Sequence, residues 1–145
     1  MRLLLIAFLL LPVLALAGRS EPPKLYSGVV LLNCQDGDTC TFDLPMEDPF
    51  FGRFTLHSRM VRLVGIDTPE IEDSQCQFET DLAVRARDRL VALLQAAKQI
   101  DLMAKGDGGE RGVLATVFAD GVDVAEILIA EGLGRPWRGM REEWC

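Results

Sequence analysis

The stretch from residue 61 to residue 70 reads Val-Arg-Leu-Val-Gly-Ile-Asp-Thr-Pro-Glu. Its apolar residues predict a β-strand over residues 60–66, and the Asp-Thr-Pro-Glu segment indicates a turn at the end of that strand. Arg62 and Asp67 are five residues apart, so a regular strand would place their side chains on opposite faces. The strand must therefore bend or stop near Gly65 if both side chains are to serve one site.

A hairpin is predicted before this strand. Residues 25–32 form an apolar, strand-like run that stops at Asp36 and Gly37, and an Asp-Gly pair is a strong hairpin signal. Residues 39–42 restart an alternating strand. Residues 43–58 contain two prolines and a glycine and are predicted to form a loop. The aromatic side chains of this loop either cap the open end of the core or line a substrate cleft; they are Phe50, Phe51 and Phe54.

One long helix is predicted after the strand, because apolar residues repeat there at helical spacing. Residues 99–103 and 112–118 are predicted strands, and Asp123 is predicted to cap a short helix that ends at Gly132. Five short strands, with a long helix between the third and the fourth, predict an α+β fold that is mainly β: a partly open, five-stranded barrel of the oligonucleotide-binding (OB) type. The apolar positions of the long helix are Phe78, Leu82, Ala86, Leu90, Leu93 and Ala97.

The N-terminal residues 1–17 have the pattern of a secretory signal peptide. One arginine precedes an apolar run over residues 3–16, and an Ala-Leu-Ala exit ends it. A bilayer span needs about 20 apolar residues, so this run is shorter than a transmembrane anchor requires. We therefore expect a secreted or periplasmic protein with a flexible leader over residues 18–24 and one domain over residues 25–145.

The composition excludes several classes of protein. The chain of 145 residues is 49% hydrophobic, which is enough for a core. The composition as a whole excludes disordered, collagen-like, coiled-coil and polytopic membrane proteins. The formal net charge is −7 at pH 7, which makes the chain a poor candidate for non-specific coating of DNA. The charge is compatible with an enzyme that touches phosphate at a few points and uses a metal cation.

The four cysteines favour disulfide bonds, because an exported chain meets an oxidising environment. Four cysteines allow three pairings. Cys34 and Cys40 flank the predicted turn, so a bridge between them is favoured, and this leaves Cys76 to pair with Cys145. The alternative is a zinc site built from all four thiolates, but the Cys-x2-Cys spacing of such sites is missing.

Two acidic clusters contain the residue types needed for hydrolytic chemistry. Asp38 and Asp67 would offer carboxylate oxygens from neighbouring strand ends, and hard divalent cations prefer oxygen ligands. Glu70 could act as a base toward a nearby water, and Arg62 could hold a phosphate with its planar guanidinium. Residues from Asp36 onward do not form an EF-hand loop. Cysteine and threonine occupy its fifth and sixth positions, where an oxygen ligand and a glycine are needed.

Four stretches resemble the staphylococcal nuclease (thermonuclease) family: Asp-Gly-Asp-Thr at 36–39, the decapeptide at 61–70, residues 111–115, and Asp-Gly at 120–121. The resemblance covers nearly all of residues 25–145. It is closest to a secreted bacterial branch whose chains carry a Trp-Cys pair, here Trp144 and Cys145. The resemblance implies a calcium-dependent phosphodiesterase on an OB fold, which cleaves DNA and RNA endonucleolytically and leaves 3′-phosphate ends.

The resemblance also implies a role for individual residues. By this pattern Asp38 and Asp67 ligate calcium, assisted by the main-chain carbonyl of Thr68. Glu70 would be the general base that orients or deprotonates the attacking water. Arg62 would bind the scissile phosphate and stabilise the charge of the transition state.

The second arginine of the family is displaced in this sequence. Counted back from Ala115, its position is Gly112, whereas Arg111 lies one residue earlier. A slip of one residue in a strand reverses the face to which a side chain points. A bulge beside Gly109 or Gly112 would restore the direction, and Arg111 is therefore predicted as the second catalytic arginine. An arginine that does not reach the site would mean weakened or lost activity.

Several other residues have a structural and a functional interpretation. His57 is the only histidine and has no partner that the sequence positions, so we expect it at the surface. Trp137 and Trp144 either stack on bases or pack the C-terminal tail. Asp36 either supports the metal site or shapes the turn. Glu79 is expected to be an ordinary acid in the first turn of the long helix.

Taken together, the sequence predicts a monomeric, calcium-dependent nuclease that acts on DNA or RNA and has no membrane anchor after signal cleavage. One alternative is a nuclease-fold module that binds nucleic acid without cutting it. Another is a calcium-stabilised structural domain of the cell envelope, in which calcium would raise the melting temperature without nucleic-acid affinity.

Overall fold

The structure, a computed structural model, describes residues 23–107 and 112–145. The predicted signal peptide, residues 18–22 of the predicted leader, and Arg111 lie outside these residues. The elements in chain order are β1 (Lys24–Ser27), β2 (Val30–Cys34), β3 (Thr39–Asp48), β4 (Gly52–Leu63), β5 (Ile66–Asp67), α1 (Gln77–Ala96), β6 (Ile100–Asp107), β7 (Val113–Ala119), β8 (Val122–Asp123), α2 (Val124–Ala130) and β9 (Arg135–Pro136).

Most of the strands belong to one sheet, with the order β1-β6-β7-β4-β3-β2 and β8 attached to β7. The pairs are antiparallel except β4 with β7, which is parallel. Strands β5 and β9 form a separate pair. Within the described ranges the sheet is open, so the expectation of a five-stranded barrel is confirmed only as a mainly β fold with two helices.

The strand count differs from the prediction partly because the run 25–32 is not one strand. Gly28 has a φ of +67°, a left-handed conformation that glycine adopts without penalty, and it breaks the run into β1 and β2. Strand β1 pairs with β6 and β2 pairs with β3, so the two edge strands of the sheet are consecutive in the chain.

The prediction of a loop over residues 43–58 is wrong, because most of this segment forms a long β3–β4 hairpin. Pro45 is tolerated in β3 because the described pairing with β2 ends at Asp43, and a proline beyond that point lies on a free edge. Asp48 accepts hydrogen bonds from the N–H groups of Phe50 and Phe51 and so shapes the turn. Phe50 and Phe51 are 92% and 84% exposed at the hairpin tip, so they do not cap the core.

The long helix is confirmed and packs on the sheet through one face. Its buried apolar residues include Leu82, Ala86, Leu90 and Leu94, whereas Phe78 is 63% exposed, contrary to expectation. The short helix is also confirmed, since Asp123 accepts a hydrogen bond from the N–H of residue 125. The core between helices and sheet is apolar and includes Phe42, Leu44, Val61, Leu102, Val117 and Leu128.

Both predicted disulfide bonds are present. Cys34 is bonded to Cys40 across the β2–β3 turn, and Cys76 is bonded to Cys145. A zinc site built from four free thiolates is therefore excluded. Neither helix of the described segments is long and apolar enough to cross a membrane.

Candidate active site

An open cleft of about 860 Å³ lies where β4 ends. Arg62, Asp67 and Glu70 all line it, and Asp38 contacts Arg62 from the interior. The structure thus brings four of the predicted site residues together.

Asp38 and Arg62 are neighbours because of the register of the β3–β4 hairpin. Thr39 lies opposite Arg62 in the sheet, and the main-chain oxygen of Asp38 accepts a hydrogen bond from the N–H of Leu63 at 2.8 Å. The Asp38 side chain is 2% exposed. Its Oδ2 accepts a hydrogen bond from Arg62 Nη2 at 3.0 Å, and its Oδ1 accepts one from the Thr39 hydroxyl at 2.7 Å.

Burial controls the protonation of Asp38. It raises the pKa of Asp38 to about 6, although the charge of Arg62 and the hydrogen bond from Thr39 act in the opposite direction. The carboxylate form therefore lacks some of the stabilisation that water would give it. A bound cation would supply that stabilisation.

The chain bends between Arg62 and Asp67, as a shared site requires. Strand β4 ends at Leu63, Gly65 has a φ of +82°, and the short strand β5 follows. Asp67 is 4% exposed, and burial raises the pKa of its carboxyl group against the effect of nearby arginines, Arg141 first among them. The bend allows Arg62 and Asp67 to line one cleft despite their odd spacing.

The loop that carries Glu70 is attached at two points. The N–H of Ile71 donates to Asp36 Oδ1 at 3.2 Å, and the N–H of Glu70 donates to Glu79 Oε1 at 3.4 Å. Asp36 therefore does more than shape its own turn, because it connects the β2–β3 turn to the loop of Glu70.

Glu79 is a residue whose role the sequence analysis missed. It is the third residue of α1 and is 3% exposed, and its Oε2 accepts a hydrogen bond from the N–H of Gln75 at 2.7 Å. An acid at the third helical position often reaches back in this way, so the position itself was an available signal. Glu79 thereby links the start of the helix to the loop of Glu70.

Arg141 is a second residue that the sequence analysis missed. Its Nη1 donates to Glu70 Oε1 at 2.6 Å and its Nη2 donates to Glu79 Oε1 at 3.3 Å. Burial lowers the pKa of Arg141, but the hydrogen bond to Glu70 and the surrounding carboxylates outweigh this effect and raise it above the ordinary value. The expected Cys76–Cys145 bridge could have indicated that the tail returns to this part of the molecule.

Asp38 and Asp67 fit the oxygen ligands that calcium prefers. Both are buried carboxylates, and the adjacent Thr68 has a buried hydroxyl without a hydrogen-bond partner. Over residues 23–107 and 112–145, no three His, Cys, Asp or Glu side chains are grouped so that they could hold a metal ion. A cation at Asp38 and Asp67 would thus need main-chain oxygens or water as further ligands, and the carbonyl of Thr68 remains the predicted one.

The position next to Arg111 cannot hold a side chain in this backbone. Gly112 has a φ of +82°, and a Cβ atom there would overlap the main-chain oxygen of Met60 on the parallel strand β4. The described irregularity in this part of the sheet lies on β6, between Ala104 and Gly106, rather than at Gly112. Gly109 and Arg111 lie outside the described residues, so the role of Arg111 stays a prediction.

Of the three remaining candidate residues, one lines the cleft and two do not. His57 is exposed but does have a partner, since its Nδ1 lies 2.9 Å from Asp43 Oδ2. Trp137 lines the cleft and is half-exposed. Trp144 is buried, and the Arg135 guanidinium lies 3.6 Å from the centre of its ring, so this tryptophan packs the tail.

Comparison with known proteins gives one match. The family model described as staphylococcal nuclease homologue matches residues 60–143. This range includes Arg62, Asp67, Glu70 and Arg141. A search of curated proteins finds no match.

Proposed function

Because the chain belongs to the staphylococcal nuclease homologue family, we propose that it is a nuclease that hydrolyses phosphodiester bonds of DNA or RNA. The observation that carries the proposal is the convergence of Arg62, Asp67 and Glu70 on one cleft, with buried Asp38 in contact with Arg62. This set combines a phosphate-binding cation, a base, and oxygen ligands for a metal.

In the proposed mechanism, Arg62 binds the scissile phosphate through N–H groups that Asp38 does not use. Glu70 accepts a proton from the attacking water, whose oxygen forms the new bond to phosphorus while the bond to the leaving oxygen breaks. The predicted second arginine, Arg111, would neutralise the growing negative charge from the other side. The leaving oxygen takes up a proton from solvent.

Calcium is the proposed cofactor, held by Asp38, Asp67 and the main-chain carbonyl of Thr68. A cation there would offset the negative charge that builds on the phosphate. The two buried carboxylates support this assignment, because a cation compensates for their lost hydration.

We also propose that the protein is exported, so that it works in the periplasm or outside the cell. The proposal rests on the signal-peptide pattern of residues 1–17. The two disulfide bonds support it, because such bonds persist mainly in oxidising compartments.

The first test measures cleavage of single-stranded DNA and RNA by the oxidised protein lacking residues 1–17, in millimolar calcium or in EDTA. We expect calcium-dependent cleavage that Glu70→Gln lowers by about 100-fold or more, because proton transfer by a positioned base contributes about that much. The matched control is Glu72→Gln, which changes an exposed acid two residues away and should leave the rate unchanged. Equal activity of Glu70→Gln and the unmodified protein would overturn the assigned base.

The main alternative is a module that binds nucleic acid without cutting it. The ion pair between Glu70 and Arg141 favours it, because the carboxylate that should act as the base already has a partner. This alternative requires oligonucleotide binding without cleavage at any calcium concentration. A structural domain would instead show a calcium-dependent rise in melting temperature with no oligonucleotide binding.

A further inference from the structure

Arg141 lines the same cleft as Arg62, which the β3–β4 hairpin supplies. Both guanidinium groups line the same cleft, and both side chains are partly exposed, Arg62 at 34% and Arg141 at 43%. One arginine comes from the sheet and the other from the C-terminal tail. An anion in the cleft could therefore contact both of them.

The Arg141 guanidinium is held in a fixed orientation but is not saturated with hydrogen bonds. Glu70 and Glu79 each accept one hydrogen bond from it. A guanidinium has five N–H groups and stays charged at any physiological pH, so three N–H groups remain for another acceptor. Because the two carboxylates already orient the group, an incoming phosphate would meet an ordered donor at a low cost in side-chain entropy.

The tail that carries Arg141 is itself firmly attached. Cys145 is bonded to Cys76 just before α1, and Trp144 is buried. Arg135 stacks on the Trp144 ring, and its Nη1 donates to the main-chain oxygen of Glu143 at 3.1 Å. These contacts fix the segment on either side of the cleft-lining arginine.

The sheet does not offer a second cation at the position where the family pattern expects one. That position is Gly112, where a Cβ atom would overlap the main chain of Met60. The cleft also contains the carboxylates of Asp67, Glu70 and Asp73, which would repel a phosphate unless cations balance them. Arg141 is suitably placed to supply part of that balance.

We propose that Arg141 binds a backbone phosphate of the nucleic acid together with Arg62, so that the disulfide-anchored C-terminal tail forms part of the substrate site. This inference rests on the proposed function, because it requires nucleic acid to bind in the cleft. It adds a substrate-binding residue that lies outside the sequence stretches on which the resemblance to the family rests.

The test measures binding of a fluorescent single-stranded DNA oligonucleotide in calcium, at several salt concentrations, with Glu70→Gln present in every variant to prevent cleavage. We expect Arg141→Gln to weaken binding about tenfold, the effect of losing one charge-assisted hydrogen bond. The slope of log affinity against log salt should fall by about 0.7, the value for one phosphate contact on a single strand. Arg138→Gln is the matched control, because it removes an exposed charge in the same tail that does not line the cleft.

A second variant removes the risk that an unpaired buried Glu79 disturbs the fold. The combination Arg141→Gln and Glu79→Gln removes both members of the pair and keeps the net charge, and it should lower the salt slope to the same extent. The role of Arg141 would be overturned if Arg138→Gln and Arg141→Gln lost the same oligonucleotide affinity. It would also be overturned if the combined variant kept the salt slope of the Glu70→Gln protein. If the Glu70→Gln protein binds no oligonucleotide at all, the proposed function fails together with this inference.

Discussion

Gly112 and Gly65 have the same φ angle but different surroundings. Both have a φ of +82°, in the left-handed region that favours glycine. A Cβ atom at Gly65 would meet nothing within 4 Å, whereas at Gly112 it would overlap the main chain of Met60. The two positions therefore separate the cost of the backbone conformation from the cost of close packing.

We expect Gly112→Ala to lower the free energy of unfolding by about 2 kcal/mol or more, since the new methyl group meets main-chain atoms that cannot rotate away. Gly65→Ala should cost clearly less, because only the left-handed conformation is penalised. Urea unfolding of both variants measures the difference. Equal losses of stability would contradict the close approach of the main chain at Gly112 to Met60 in β4.

At the scale of elements, the β3–β4 hairpin contains an irregularity that one carboxylate stabilises. The register shifts between Phe42 and Leu44, and the intervening Asp43 accepts a hydrogen bond from the N–H of Ser58 at 2.8 Å. Ser58 has a φ of 54°, an uncommon conformation for a residue with a side chain. His57 makes the second contact with Asp43.

This geometry predicts a pH dependence of stability. The hydrogen bond from Ser58, followed by that from His57, lowers the pKa of Asp43 below its ordinary value of 3.8. Ionised Asp43 thus stabilises the folded state above pH 3.8, and the effect is lost as the pH falls through the lower pKa of the folded state. Asp43→Asn should lower the free energy of unfolding at pH 7, and its difference from the unmodified protein should disappear in strong acid.

Urea unfolding at neutral and acidic pH tests this expectation, with Glu47→Gln as the control at an exposed acid of the same hairpin. A constant difference between Asp43→Asn and the unmodified protein at all pH values would contradict it. The control variant should show no comparable change with pH.

At the scale of the whole molecule, the two disulfide bonds close loops of very different length. Cys34 and Cys40 are six residues apart, whereas Cys76 and Cys145 are 69 residues apart. A disulfide restricts the unfolded chain more strongly when it closes a longer loop. The second bridge should therefore contribute more to stability.

We expect Cys145→Ala to lower the free energy of unfolding by about 4 kcal/mol and Cys34→Ala by about 2 kcal/mol, as the loop lengths imply. Guanidinium unfolding of the oxidised proteins gives both values. A larger loss for Cys34→Ala would show that local packing around the β2–β3 turn outweighs the loop-closure effect.

Local sequence patterns predicted much of this molecule. The helical spacing located α1, Asp123 correctly indicated the cap of α2, and the turn between Cys34 and Cys40 indicated the disulfide pairing. The hairpin over residues 43–58 was missed because proline is a breaker only where a neighbouring strand needs its N–H. Whether that neighbour exists is decided by the extent of β2.

Two features of the site that the sequence did not predict depend on contacts between distant residues. Asp36 binds the loop at Ile71, and Arg141 binds Glu70. Neither contact follows from a local period or motif, because each joins segments that only the folded sheet and the disulfide bring together. The resemblance to a known family identified the motif residues but not the residues that hold them.

The bond between Cys76 and Cys145 makes the covalent attachment of the C-terminal tail dependent on oxidation. A chain newly made in a reducing cytoplasm keeps its thiols, so the tail with Arg141 would not be covalently fixed beside Glu70. If the protein is exported as proposed, this attachment would form only after oxidation outside the cytoplasm. The bridge would thereby make the proposed phosphate contact of Arg141 dependent on the redox state of the chain.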